Sequence, residues 1–257
     1  LDQPNLVQGN VLGSNIFNLC VIAGILLFAS KKYQNAVLAK SHRTTLIYGI
    51  LMYVIIFLGI FIPKEIGLGI INVNFASILI LAVYLLNVKF MKHDESAQSE
   101  DDEDIRLTTG QIMVRFVLFA IALVAVSILL TQVTDRIAEE LQLGATVAGA
   151  IFLGVATSLP ELSASINLVR IGNFNASFGN IVGSNLFNFI ILSFADILYV
   201  KGGIYVKEGS VLNLLLFGVF SMFMTLGIIR FKKNRAAVLL CSILVLASYV
   251  TSIVLSM

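Results

Sequence analysis

The sequence contains few charged residues. Asp, Glu, Lys and Arg make up 12% of its 257 residues, whereas soluble proteins carry about 25%. With 58% hydrophobic residues and a mean hydropathy of +0.95, the chain would aggregate as a water-exposed globule, so lipid is its expected solvent. A net charge of +2 without a basic tract gives no indication of nucleic-acid binding.

Cysteine and histidine are also scarce. Cys20 and Cys241 lie in apolar runs, where free thiols behave as small hydrophobic side chains. A disulfide or a shared metal is the alternative, but no spacing signal supports it. His42 and His93 lie in predicted polar loops, which argues against a histidine-based metal or catalytic centre.

Long apolar runs dominate the chain. A membrane-spanning helix needs about 20 mostly apolar residues. Eight such runs lie near residues 10–29, 44–62, 68–88, 111–133, 145–169, 180–199, 210–229 and 236–256. Short polar segments separate most of them, so neighbouring helices are expected to be antiparallel. The sequence therefore predicts an all-α, polytopic helical bundle in a cell membrane, with no resident cofactor.

Charge predicts the domain organisation and the orientation. The stretch from Asp94 to Asp104 holds seven acids and divides the spans into residues 1–90 and 111–257, with a linker at 91–110. Thirteen Lys and Arg residues lie on the side of the predicted loops that includes this linker, and four lie on the other side. The positive-inside rule therefore predicts a cytoplasmic linker and an extracytoplasmic C-terminus.

One polar segment occurs twice. GNVLGSNIFN at residues 9–18 returns as GNIVGSNLFN at residues 179–188, with seven of ten positions identical. An odd number of predicted crossings separates the copies, so they are expected to run through the membrane in opposite directions. Inverted repeats are typical of alternating-access transporters, whose sites lie at the midplane. A duplication retained only for packing is the alternative.

The repeated segment carries a polar stripe. Asn10, Ser14 and Asn18 follow at four-residue spacing and share one helix face, as do their counterparts Asn180, Ser184 and Asn188. Polar side chains in lipid require partners, so both stripes are expected to face the protein interior. Gly13 and Gly183 are expected to allow close backbone approach. Interhelical hydrogen bonding alone is the simpler interpretation of one copy.

Glu161 is the acid predicted nearest the membrane midplane, within GVATSLPELSASINL at residues 154–168. Asp196 also lies within a predicted span, but nearer its outer end. A carboxylate at the midplane costs about 2.5–3.5 kcal/mol on insertion scales, which makes Glu161 a functional candidate. A protonated acid satisfied by its neighbours is the structural alternative.

The residues around Glu161 offer further oxygens. Thr157 and Ser165 share its face at four-residue spacing, Ser158 is adjacent, and Pro160 leaves the Ala156 carbonyl without its helical partner. Carboxylate, hydroxyl, amide and carbonyl oxygens are the ligands that Ca²⁺ and Na⁺ prefer, whereas zinc and copper prefer His and Cys. The pattern predicts a dehydrated cation site.

These motifs resemble the calcium/cation antiporter superfamily, specifically its bacterial and archaeal sodium/calcium exchanger-like members. GVATSLPELSASI followed by GNIVGSNLFNFIIL is similar to the second α-repeat of that superfamily, and GNVLGSNIFNLCVI is similar to the end of the first. The resemblance implies ten helices in two inverted halves of five, joined by a cytoplasmic linker, with both termini extracellular.

The resemblance also implies a set of metal-binding residues. Glu161 would be the carboxylate shared by Ca²⁺ and competing Na⁺. The remaining ligands would be oxygens of Thr157, Ser158, Ser14, Ser184, Asn18 and Asn188.

Two departures from the family pattern are visible. The position 170 residues before Glu161, where its repeat partner would lie, precedes Leu1, and eight spans are present of an expected ten. We therefore expect an N-terminally truncated chain that lacks two helices and does not transport by itself. Asn188 stands where several members carry Asp, which disfavours a potassium-dependent exchanger.

The sequence favours a secondary active antiporter that exchanges Ca²⁺ for Na⁺, with H⁺-coupled cation exchange as the alternative. A passive channel is less favoured, because channels build selectivity from rings of subunits and this symmetry is internal. An enzyme using Ser158 and Glu161 lacks a membrane-embedded His or Lys as base. The acidic linker lacks the ligand spacing of an EF-hand calcium sensor.

Overall fold

Helices form almost all of the described structure. This computed structural model describes residues 3–62, 64–68, 71–95, 109–200 and 202–257. The helices are α1 (Pro4–Tyr33), α2 (Ser41–Phe61), α3 (Phe75–Glu95), α4 (Thr109–Glu140), α5 (Ala145–Thr157), α6 (Leu159–Arg170), α7 (Phe174–Leu198), α8 (Gly209–Arg230) and α9 (Arg235–Val254). Within α5, residues Gly149–Leu153 form a π-helical turn. The prediction of an all-α membrane bundle is confirmed.

Helix α1 lies at the centre of the bundle and packs against α5, α7, α8 and α9. Its side chains Leu12, Ile16 and Leu19 are fully buried. A predominantly apolar helix that carries a polar stripe is stable in a membrane when other helices cover that stripe. The first copy of the repeated segment belongs to α1, and the second belongs to α7, which packs against α1. Both copies therefore lie in this central region.

The outer surface of the bundle is apolar. Phe57 is 46% exposed, and Leu118 and Val250 are each 61% exposed. Such a surface is unfavourable in water and matches the hydrocarbon region of a bilayer. The described structure thus supports a multi-pass membrane protein.

The number of spans differs from the eight predicted. Five described helices are long and apolar enough to cross a membrane, or six when α5 and α6 count as one bent span. The apolar part of α3, Phe75–Phe90, is shorter than these. A count of eight spans is therefore not confirmed.

A β-hairpin replaces the start of the third predicted span. Strands β1 (Glu65–Leu68) and β2 (Ile71–Asn74) pair antiparallel, so the helix begins only at Phe75 rather than near residue 68. Alternation of apolar and polar residues in β2 favours a strand. The Asn74 carboxamide oxygen accepts a hydrogen bond from the Ala76 amide at 2.9 Å, which favours a helix start at this point.

Most of the predicted acidic linker, residues 96–108, lies outside the described residues. Helix α3 extends to Glu95 and α4 begins at Thr109, so helices reach into both ends of the segment predicted at 91–110. The division into residues 1–90, 91–110 and 111–257 stays a prediction.

His42 lies in the first turn of α2, not in a loop as predicted. Its ring is buried, and Nε2 lies 2.8 Å from the Asn175 side-chain oxygen. The helix begins at Ser41, before its apolar run, and Ser41 and His42 of its first turn are buried. Cys20 and Cys241 are free thiols.

Asp196 has a full set of hydrogen-bond donors. The carboxylate is 1% exposed, and its Oδ2 accepts from the Asn74 amide at 2.9 Å and the Ser77 hydroxyl at 2.7 Å. The Ile204 amide donates to Oδ1 at 3.5 Å. The Tyr205 hydroxyl lies 2.7 Å from the Ser77 hydroxyl, and because Ser77 donates its only hydroxyl proton to Asp196, Tyr205 is the donor of this pair. These donors tie α7 to the start of α3, which is a structural role.

Candidate cation site

A break in one span places Glu161 inside the bundle. Helices α5 and α6 meet at Ser158 and are bent by 44°. Pro160 lies in the first turn of α6, where its missing N–H is tolerated. The Ser158 amide donates to Val155, three residues back, so the Gly154 carbonyl loses its usual partner. Glu161 therefore occupies the first turn of a new helix.

Positive charge density at that helix N-terminus favours a carboxylate. The Ser184 hydroxyl of α7 donates to Glu161 Oε1 at 2.8 Å. The Asn180 carboxamide, one turn away, donates to the Glu161 carbonyl at 3.2 Å and the Ser165 hydroxyl at 3.1 Å. Asn180 and Ser184 of the α7 stripe thus face α6, whereas the sequence predicted only that the stripe faces the protein interior.

The short turn between α6 and α7 makes this pairing possible. Gly172 has a φ of +86°, a left-handed conformation that side chains disfavour, and it closes the end of α6. Asn173 then caps α7, because its side-chain oxygen accepts a hydrogen bond from the Ala176 amide. The two helices fold back on each other over this turn.

The first copy of the segment contacts the same break from the other side. The Ser14 hydroxyl lies 3.0 Å from the Thr157 hydroxyl and donates to the freed Gly154 carbonyl at 3.2 Å. Thr157 also donates to the Asn10 side chain at 3.3 Å. The two GSN segments therefore meet the two sides of one helix break.

The two copies also contact each other reciprocally. The Asn18 carboxamide donates to the Asn185 oxygen at 2.9 Å, and the Asn188 carboxamide donates to the Asn15 oxygen at 2.9 Å. The repeat offset of 170 residues relates Asn18 to Asn188 and Asn15 to Asn185. Each contact is therefore the repeat counterpart of the other, as expected for a two-fold axis. From Asn15 to Asn18 along α1, the contacted residue of α7 changes from Asn188 to Asn185. The two helices therefore run antiparallel here. This geometry is that of an inverted repeat.

Asn185 makes one further contact that the symmetry does not reproduce. Its carboxamide donates to the Asn15 backbone carbonyl at 3.0 Å, whereas the Asn15 carboxamide nitrogen has no partner among the described residues. Asn15 and Asn185 were not among the predicted site residues. Their presence in both copies of the repeat, within a span, is the signal that would have identified them.

Glycines let α1 approach α5 closely. A Cβ added to Gly13 would lie 2.6 Å from the Ala150 Cβ, and one added to Gly154 would lie 2.9 Å from the Ser14 amide nitrogen. The prediction of close approach is confirmed for Gly13. It is not confirmed for Gly183, where no atom of the described structure lies within 4 Å of an added Cβ.

The predicted site residues thus form three contact groups around the break. Ser14 meets Thr157, Ser184 meets Glu161, and the amides of Asn18 and Asn188 bond to asparagines of the opposite copy. Ser158 is 1% exposed at the break itself. Their assignment as ligands of one ion stays a prediction.

Two buried oxygens in this region lack a hydrogen-bond partner among the described residues: Glu161 Oε2 and Asn18 Oδ1. A buried acceptor without a donor costs about 1–3 kcal/mol, and more when it is charged. A hard cation would remove that cost. No three His, Cys, Asp or Glu side chains converge within the described ranges, so neutral oxygens would have to supply most of the ligands.

The apolar helices, the broken span and the reciprocal repeat define an inverted-repeat membrane protein. The sequence model described as sodium/calcium exchanger protein matches residues 1–92 and 112–257. The chain belongs to this family, which confirms the superfamily resemblance seen in the motifs.

Individual relatives agree with this assignment. The chain is 25% identical over 221 residues to the inner membrane protein YrbG of Escherichia coli, covering 83% of this chain and 67% of that protein. It is 28% identical over 184 residues to the putative antiporter CaxA of Alkalimonas amylolytica, covering 71% and 57%. Over 63 residues it is 40% identical to the sodium/calcium exchanger MaX1 of Methanosarcina acetivorans, covering 24% and 18%.

The fold has a solved counterpart. The crystal structure of the H⁺/Ca²⁺ exchanger CAX superposes with a TM-score of 0.68 at 15% identity, covering all of this chain and 72% of that one. At this identity the likeness shows the fold alone. The chain therefore shares an all-helical membrane fold with that protein.

If Glu161 binds Ca²⁺ as the sequence predicts, replacing Ser184 by Ala is expected to weaken that binding about 10- to 100-fold, because hydrogen bonds to charged groups contribute roughly 1.5–3 kcal/mol. The variant removes the donor that positions Glu161 Oε1. Equilibrium binding of ⁴⁵Ca²⁺ to the purified chain measures the effect. The control is Ser193→Ala in the same helix, whose hydroxyl donates to the Phe189 carbonyl. Equal affinities of the two variants would contradict the role given to Ser184.

Proposed function

We propose that this protein is a secondary active antiporter that exchanges Ca²⁺ for Na⁺ across the cytoplasmic membrane. The observation that carries the proposal is the Glu161 carboxylate beside the helix break, with one oxygen held by Ser184 and the other buried without a donor among the residues that the structure describes. Such a group is costly in a membrane unless an ion or proton occupies it.

The family context supports cations as the transported species. The family is described as sodium/calcium exchangers, and one relative is named a sodium/calcium exchanger. The oxygens around the break match the preference of Ca²⁺ and Na⁺ for hard ligands. Both ions are cargo in this proposal.

Each predicted ligand has a role in the proposal. Glu161 supplies the negative charge for which Ca²⁺ and Na⁺ compete. Neutral oxygens replace the hydration shell of the ion. They are the hydroxyls of Thr157, Ser158, Ser14 and Ser184 and the amide oxygens of Asn18 and Asn188. Asn180 and Ser165 hold α6 against α7, which fixes the position of the carboxylate.

The crossing of the two repeats provides a basis for alternating access. Helices α1 and α7 meet through the reciprocal asparagine contacts, near a break that can absorb a change of angle. Inverted repeats allow two conformations with the same overall architecture, one open to each side of the membrane. Ser158, at the break, is the proposed hinge.

Proton-coupled cation exchange is the second candidate. It rests on the fold shared with a protein titled an H⁺/Ca²⁺ exchanger, and on the single Glu161 carboxylate, which can carry a proton as well as a metal ion. The carboxamide of Asn188, in contrast, does not titrate, so it adds no proton-carrying site to Glu161.

The membrane orientation belongs to the same proposal. We place residues 91–110 in the cytoplasm and the C-terminus outside, because thirteen of seventeen Lys and Arg residues lie on the predicted inner side. The E. coli relative is named an inner membrane protein.

Ion coupling can be tested with the purified full-length protein in sealed proteoliposomes. We expect an outward Na⁺ gradient to drive ⁴⁵Ca²⁺ uptake, and uptake to stop when a sodium ionophore collapses that gradient. Uptake driven only by a pH gradient would replace Na⁺ with H⁺ as the coupling ion. Rapid uptake that persists without any gradient of either ion would contradict antiport and indicate a channel.

A further inference from the structure

A basic pocket lies at one end of the bundle, away from Glu161. It is a cavity of about 560 Å³ between the α1–α2 connection and the α8–α9 connection. Its cationic lining residues are Lys40, Arg43, Arg230, Lys232 and Lys233. No acidic side chain is part of the lining. Five cations in one pocket repel one another unless an anion neutralises them.

Hydrogen bonds between the two connections hold the pocket together. The Gln34 side chain donates to the Lys233 carbonyl at 2.6 Å, and the Lys232 ammonium donates to the Ala36 carbonyl. These contacts fix backbone positions of both connections relative to each other. The fold therefore keeps the five cations close together despite their mutual electrostatic repulsion.

The pocket combines charge with an apolar surface at the ends of the spans. Leu38, Ile229 and Phe231 line it together with the cations. Phe231 is 51% exposed, and the Arg230 guanidinium lies 5.8 Å from its ring centre. The start of α2, with its positive dipole end, lies beside Lys40 and Arg43. This arrangement suits a molecule with an anionic head and an apolar tail.

We propose that the basic pocket binds the phosphate of an anionic phospholipid headgroup. Basic pockets between spanning helices on the cytoplasmic side of a membrane recognise such headgroups. All five cations belong to the side predicted to be cytoplasmic. A free phosphate would use the same cations but would leave Leu38 and Phe231 uncovered. The proposal is independent of which ions the protein transports.

The test uses the purified chain in a neutral detergent, titrated with dioleoylphosphatidylglycerol or dioleoylphosphatidylcholine, with bound lipid counted by native mass spectrometry. The charge-removing variant is Lys40→Gln, Arg43→Gln and Lys233→Gln combined. We expect it to bind phosphatidylglycerol about a hundredfold more weakly than the unmodified chain, since each of the three cations removed contributes a factor of about five near a membrane surface. Phosphatidylcholine binding should be weak and equal in both.

A matched control removes the same number of charges elsewhere: Lys64→Gln, Arg136→Gln and Lys207→Gln combined. Its phosphatidylglycerol affinity should equal that of the unmodified chain. Equal losses in both triple variants would show non-specific attraction and overturn the proposal. Tight binding of inorganic pyrophosphate, with displacement of phosphatidylglycerol, would assign the pocket to soluble phosphates instead. The single variant Arg43→Gln, compared with Lys64→Gln, repeats the comparison with a smaller perturbation of the fold.

Discussion

The Glu161→Gln variant is expected to lose Ca²⁺ uptake by at least about a hundredfold, because removing one partner of a buried charge pair costs roughly 3–5 kcal/mol. Glutamine keeps the shape of the side chain and one oxygen, so the Ser184 contact and the fold are expected to survive. It removes the charge for which Ca²⁺ and Na⁺ would compete in the proposed mechanism. Sodium-driven ⁴⁵Ca²⁺ uptake into proteoliposomes measures the loss.

Glu140→Gln is the matched control for this variant. Glu140 is exposed at the end of α4, and the same chemical change there should leave uptake unaltered. Equal thermal unfolding midpoints of the two variants would exclude misfolding as the cause. Normal uptake by the Glu161 variant would remove this carboxylate from the transport mechanism.

The Gly13→Ala variant is expected to destabilise the bundle by about 1–3 kcal/mol, the usual cost of overpacking. The new methyl group would lie 2.6 Å from the Ala150 Cβ and 2.8 Å from the Ala150 carbonyl oxygen, so α1 and α5 would have to separate. The same separation would move Ser14 away from the helix break. Thermal unfolding in detergent, followed by circular dichroism, measures the loss.

The repeat supplies the control for this prediction. Gly183 is the equivalent position in the second copy, and an added Cβ there meets no atom of the described structure within 4 Å. Gly183→Ala should therefore leave the unfolding midpoint of the 257-residue chain unchanged or raise it slightly, because Ala favours helix. Equal losses from the two substitutions would contradict the packing of α1 on α5.

The helices could be predicted because their signals are local. Runs of apolar residues gave the approximate positions of all described helices, but the fifth span was predicted as one helix, and its break at Ser158 was not predicted, although Pro160 lies beside it. The hairpin before α3 was missed because residues 65–74 are apolar enough to extend a helical run. Its strands depend on pairing with each other, which a hydropathy pattern does not contain.

The candidate site could be predicted in part. Glu161 and the stripes at four-residue spacing followed from residue type and position, and Ser184 does contact Glu161. Asn15 and Asn185 were missed because they lie beside that stripe, on a face whose partner depends on how α1 crosses α7. Close backbone approach was predicted for both Gly13 and Gly183, and within the described structure Gly13 meets α5.

The most direct test of the account is equilibrium binding of ⁴⁵Ca²⁺ to the purified chain, with and without Na⁺, in the unmodified and Glu161→Gln forms. We expect the unmodified chain to bind ⁴⁵Ca²⁺ saturably and Na⁺ to displace the bound Ca²⁺ competitively. In the variant, both the binding and the competition should be lost. Saturable, Na⁺-sensitive binding of equal affinity in the variant would contradict the claim that Glu161 holds the transported cation.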